Sequence, residues 1–84
     1  MPRFHLHIYD RGGVSCDEEG LELPDLGSAS AYAIDGIRSI ASEDVRSGRL
    51  DLAGRIEIAD DSGAILDTIR VAEAVEVLPP EDER

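Results

Sequence analysis

One long stretch of this chain repeats its apolar residues at helical spacing, and that constrains the fold more than any other feature. Leu26, Ala29, Ala33, Ile37, Ile40, Ala41 and Val45 form a single stripe. The segments on both sides alternate apolar and polar residues with a period of two. A lone amphipathic helix cannot bury its stripe against itself, so it needs a sheet, and the flanking segments supply one. The pattern predicts an α+β fold, ββαββ: a small antiparallel sheet of two hairpins with one helix packed on one face.

The first strand is Arg3 to Tyr9, with Phe4, Leu6 and Ile8 on one side and His5, His7 and Tyr9 on the other. Asp10-Arg11-Gly12-Gly13 turns the chain and Val14 to about Asp17 returns; Leu21 and Leu23 can prolong the extended run before Pro24. Asp25 or Ser28 caps a helix that runs to Ser47, where Gly48 stops it. Its outer face carries Asp35, Arg38, Ser39, Ser42, Glu43 and Arg46. Leu50 and Leu52 anchor a connection to a strand at Arg55 to Ala59. Asp60-Asp61-Ser62-Gly63 is a hairpin turn and Ala64 to Val71 its partner strand. A bulged turn pairs Ile58 with Leu66 and Ile56 with Thr68, which leaves Glu57 and Asp67 together outside. Ala72 to Val77 reads either as a helical turn or as a last extended piece. Residues 1–78 form one domain and 79–84 a flexible, charged tail.

Eighty-four residues leave room for one helix on one sheet and little for a deep cleft. The net charge of −11 repels phosphate and anionic membranes, and favours a basic partner or a cation. All eight cations are arginine, which a GC-rich genome explains without a functional reason. Cys16 is alone, so no internal disulfide is expected. No secretion signal and no apolar run of transmembrane length is present, and a cytoplasmic location is expected.

Cys16 to Asp25 holds five carboxylates in ten residues: Asp17, Glu18, Glu19, Glu22 and Asp25. Met1-Pro2-Arg3-Phe4, the run Asp17-Glu18-Glu19-Gly20-Leu21-Glu22-Leu23-Pro24-Asp25-Leu26 before an Ala-rich helix, and Gly54-Arg55-Ile56-Glu57-Ile58 resemble a family of short bacterial proteins of unknown function, common in alphaproteobacteria. The resemblance covers residues 1 to about 77. It supports the element boundaries and brings no catalytic residue or ligand with it. Cys16 lies outside the pattern.

His5 and His7 project from one strand face, about 6–7 Å apart. A plain loop sets Cys16 opposite His7 and Glu18 opposite His5, a zinc-type set of His5, His7, Cys16 and Glu18. A bulge at Gly13 sets Asp17 and Glu19 there instead, which still suits a divalent transition metal. The competing reading is a solvated face with His–carboxylate contacts. The acidic run lacks the frame of an EF-hand loop and reads as a solvated turn. Asp17-Glu18-Glu19 raises rather than lowers a neighbouring thiol pKa, so Cys16 makes a poor nucleophile. Gly12-Gly13 has no phosphate-loop frame.

These readings converge on a non-enzymatic interaction or regulatory module with no required cofactor. Its contact residues would be Asp17, Glu18, Glu19 and Glu22 with Arg38, Ser42, Glu43 and Arg46 of the helix. The partner is a basic protein surface, or a second copy joined strand edge to strand edge; direct nucleic-acid and membrane binding are not expected. A divalent-metal protein using His5 and His7 is the alternative, with nucleic-acid mimicry a lesser branch.

Overall fold

A computed structural model describes residues 1–81, so the last three residues of the predicted tail lie outside the described residues. The element order is β1 (Arg3–Asp10), β2 (Gly13–Ser15), β3 (Leu21–Glu22), α1 (Leu26–Arg46), β4 (Arg55–Ala59), β5 (Ile65–Arg70) and α2 (Val71–Ala74). All pairings are antiparallel, in the order β2-β1-β4-β5, with β3 also paired to β1. The expected α+β architecture of a sheet with one main helix on one face is present.

Asp25 caps α1, its Oδ1 accepting the Ser28 N–H at 2.8 Å. At the other end Gly48 takes a φ of +95°, and the Gly48 and Arg49 N–H groups donate to Val45 and Asp44 carbonyls. The stripe buries Ala29, Ala33, Ile37 and Ala41, and three of those four side chains are single methyl groups. That lets the helix lie close over Ile56 and Ile58 of β4, with Phe4 and Val71 completing the core. Full burial of a side chain such as Ile58 contributes roughly 1.5–3 kcal/mol. The ends of the stripe overhang the sheet: Leu26 and Val45 are exposed. Leu50 packs on the core, but Leu52 does not; the buried residue between them is Asp51.

The second hairpin departs from the expected register. Ile56 faces Ile69, Glu57 faces Thr68 and Ile58 faces Asp67, and a bulge then brings Ala59 opposite Ile65. The extra residue, Leu66, lies within the strand rather than in the turn. Glu57 and Asp67 therefore point to opposite faces. Asp67 turns toward α1 and accepts a hydrogen bond from Ser30 Oγ at 3.0 Å. An inward-pointing charge and a bulge are both devices that blunt a sheet edge. The residues after β5 close one helical turn, α2, which ends at an extended Val75.

Candidate functional site

The uncovered sheet face is built in three cross-strand rows: Tyr9–Arg55–Arg70, His7–Glu57–Thr68 and His5–Ala59–Ile65. Arg55 lies 4.1 Å from the centre of the Tyr9 ring and donates through Nε to Glu57 at 3.0 Å. The third row meets the acidic turn.

The first hairpin keeps the plain register, Ile8 opposite Ser15 and Tyr9 opposite Val14. Pairing stops there, one residue short of Cys16, and resumes with Phe4 opposite Leu21. Alternate residues of β1 offer their N–H groups to this edge, and Leu6 falls in the gap. Its N–H donates to Asp17 Oδ2 at 3.1 Å, while Asp17 Oδ1 accepts the Gly20 N–H at 3.0 Å. The Asp17 side chain thus takes the place of a missing strand residue. Burial pushes its carboxyl pKa up, but the Gly20 and Leu6 N–H groups, with the positive charge that a protonated His5 brings, outweigh that. The net effect holds it below the ordinary carboxylate value.

Both histidines bind the backbone of the same residue. His7 Nδ1 accepts the Asp17 N–H at 3.0 Å, so the neutral ring carries its proton on Nε2. His5 Nδ1 lies 2.9 Å from the Asp17 carbonyl oxygen, and His5 Nε2 lies 2.8 Å from Asp61 Oδ1. Both of these partners are acceptors, so the protonated ring, which donates from both nitrogens, satisfies both, and a neutral ring satisfies only one. The Asp61 hydrogen bond, then the Asp17 carbonyl, raise its pKa above 6.5. The two rings stack with centroids 6.4 Å apart.

The zinc-type set is not assembled. Cys16 is exposed, Glu18 points to solvent and the His5 ring meets Asp17 and Asp61 instead. The physical reason is the break after Ser15, where the Asp17 carboxylate satisfies Leu6 in place of a paired strand. Among the described residues, no group of three or more His, Cys, Asp or Glu side chains is placed to hold a metal ion.

The proposed contact residues separate into two sets. Glu18 and Glu19 are exposed, and among the described residues their carboxylates make no hydrogen bond or ion pair. Glu22 pairs with Arg3 at 3.0 Å, and Arg3 also donates to the Glu19 carbonyl at 2.8 Å. Asp17 is spent inside the turn. Ser42, Glu43 and Arg46 are exposed on α1, while Arg38 donates to the Ala74 carbonyl at 2.9 Å. No hydrogen bond among the described residues links the two sets.

Two charged contacts escaped the sequence. Asp61 reaches His5 across 56 residues. Asp51 accepts from Arg11 Nε and from the Ala53 N–H, each at 2.9 Å, which together hold its carboxyl below the ordinary value. The second had a signal, since an Asp two residues before the bonded N–H is the pattern of an Asx turn.

A raised His5 pKa means that the folded chain holds the proton more tightly than the unfolded chain does. The stabilisation is whole below pH 6.5, the ordinary value, and is lost as pH rises through the higher folded value. Urea titrations of the wild type and His5→Gln should therefore differ most near pH 5.5 and converge above the folded pKa. A constant difference across that range would show that the ring acts through packing alone.

Concave space is limited. A depression lined by Ile8, Ile37, Ile40 and Val71 holds about 10 Å³, room for one water molecule. Four further clefts of about 280, 250, 240 and 530 Å³ lie open to solvent. Among the described residues no helix is long and apolar enough to cross a membrane. The chain has no match among curated proteins or among solved structures. Residues 3–72, which span the sheet, α1 and the start of α2, match a domain of unknown function, DUF6894, and the chain belongs to that family.

Proposed function

We propose that this protein is a non-enzymatic interaction module that presents its acidic turn to a basic protein surface. One observation carries the reading: the turn is fastened by its backbone and by Asp17, yet Glu18 and Glu19 are exposed in it and have no partner among the described residues. A pre-organised pair of carboxylates binds with less ordering cost than a mobile acidic loop. The hairpin turn of β4 and β5 adds Asp61 beside it. The shallow clefts support a role without chemistry.

The blunted edges favour this mode over strand-to-strand pairing. β5 has its bulge and inward Asp67, and β2 and β3 are only three and two residues long.

Affinity capture from native lysate tests the reading, with the wild type compared with Glu18→Gln/Glu19→Gln. The wild type should enrich a basic partner at low salt and lose it as salt rises. The double variant should bind that partner roughly three- to tenfold more weakly, with a flatter salt dependence. Equal capture by both proteins would reject the acidic tip as the contact.

A further inference from the structure

His5 joins two turns that are distant in sequence. Its Nδ1 lies 2.9 Å from the Asp17 carbonyl oxygen in the acidic turn, and its Nε2 lies 2.8 Å from Asp61 Oδ1 in the turn between β4 and β5. The charged and titratable groups around the ring are Asp17 and Asp61 on those turns, and Arg3 and His7 along β1. Its neighbours across the sheet, Ala59 and Ile65, are apolar. The remaining groups are engaged elsewhere. Arg3 donates to the Glu19 carbonyl and the Glu22 carboxylate, and His7 accepts the Asp17 N–H. Glu57, opposite His7, accepts from Arg55. Asp60 accepts from the Ser62 and Ala64 N–H groups inside its own turn. Asp61 is therefore the carboxylate of that turn that reaches the ring.

The two acceptors respond differently when the ring loses a proton. Asp17 is fixed: its N–H donates to His7, and its carboxylate holds the Leu6 and Gly20 N–H groups. A ring lone pair turned toward its carbonyl oxygen would meet a like partial charge that has no way to withdraw. Asp61 is free to withdraw. Its side chain is 70% exposed against 14% for His5, and the ring is its carboxylate's sole hydrogen-bond partner among the described residues. The carboxylate exchanges that bond for water at little cost. A neutral His5 therefore keeps its one proton on Nδ1, facing Asp17, and lets Asp61 go.

We propose that His5 is a proton-operated clasp: protonated, it holds Asp61 against the acidic turn, and neutral, it keeps Asp17 and frees Asp61. The bonds that fasten the acidic turn survive in both states, so the device changes charge rather than order. With the clasp closed, an imidazolium neutralises Asp61. With it open, that positive charge is gone and a free carboxylate joins those of Glu18 and Glu19. A basic partner of the acidic turn then competes with the proton for Asp61, and its binding releases that proton. This competition rests on the reading of the acidic turn as a contact surface; the clasp itself does not. Because the Asp61 and Asp17 bonds favour the protonated ring, the exchange falls above the ordinary histidine value of 6.5.

Heteronuclear NMR of the full chain, titrated through the histidine range, tests the clasp directly. The Asp61 carboxyl carbon should shift in step with the His5 ring nitrogens, with one midpoint above 6.5, and the neutral ring should carry its proton on Nδ1. In Asp61→Asn, an exposed turn substitution, the His5 midpoint should fall. An Asp61 carbon that ignores the His5 titration, a neutral ring protonated on Nε2, or an unmoved midpoint in Asp61→Asn overturns the proposal. Calorimetry with end-blocked hexa-arginine, whose charge is constant with pH, tests the competition. The peptide should bind roughly two- to fivefold more tightly at about pH 8.5 than at about pH 5.5, the worth of one exposed ion pair. Buffers of different ionisation enthalpy should show proton release on binding, and Asp61→Asn should lose both effects. Binding that weakens in Glu18→Gln/Glu19→Gln but ignores pH keeps the acidic turn as a contact and overturns the proton competition. Binding that the double variant leaves unchanged rejects the contact reading and the competition with it, and the NMR titration alone then decides the clasp.

Discussion

Asp17→Ala should lose about 2–4 kcal/mol of stability, because two backbone N–H groups lose their acceptor at once and each costs about 1–3 kcal/mol when left unmatched. Leu6 is the costlier of the two. It sits in the middle of β1, where neither Ser15 nor Leu21 is in register to replace the carboxylate. A chain of this size has a total stability of roughly 4–12 kcal/mol, so the loss is a large share of it. Glu18→Ala, one residue away in the same acidic run, should stay within about 0.5 kcal/mol, as exposed surface changes generally do. Asp17→Asn keeps one carbonyl acceptor and should fall between them. Urea midpoints measure all three, and hydrogen exchange at Leu6 and Gly20 should quicken selectively in Asp17→Ala. Equal midpoints for Asp17→Ala and Glu18→Ala would remove Asp17 from its structural role.

That contrast marks where the sequence was legible and where it was not. The helix was readable because Ala29, Ala33, Ile37 and Ala41 share one face and Asp25 and Gly48 carry specific end chemistry. The overhang of Leu26 and Val45 was not, because periodicity marks a face and says nothing about how far the sheet extends beneath it. The turn at Asp60 to Gly63 was readable from its residues, while the bulge at Leu66 was not. An extra residue inside a strand leaves no mark when Ile65, Leu66 and Ile69 all suit a strand. Along Asp17 to Glu22 the carboxylates look equivalent in one dimension. Only the break in pairing turns Asp17 inward and leaves Glu18 and Glu19 outside. The link from His5 to Asp61 depends on the strand order, which local patterns do not specify.

Gly20→Ala should cost about 2–3 kcal/mol, although it adds a single methyl group. Gly20 holds a φ of +77°, where an L-residue loses roughly 1–2 kcal/mol. The new Cβ would also lie 2.8 Å from Arg3 Cγ and 2.9 Å from His5 Cε1. Neither neighbour yields freely. Arg3 is held by the Glu19 carbonyl and the Glu22 carboxylate, and the His5 ring is bonded at both nitrogens. Gly48→Ala is the matched control, because its φ is +95° and nothing lies within 4 Å of its added Cβ. It should lose only the backbone contribution of about 1–2 kcal/mol. The excess at Gly20 therefore measures how firmly the acidic turn is fastened. Displacing the His5 ring also breaks its bonds to Asp17 and Asp61, so Gly20→Ala should flatten the pH dependence of stability that His5 confers, and Gly48→Ala should leave it intact. If both variants lose the same stability and keep the same pH dependence, the turn moves aside easily. Glu18 and Glu19 would then be presented on a yielding loop, and the case for a pre-organised docking tip would fail.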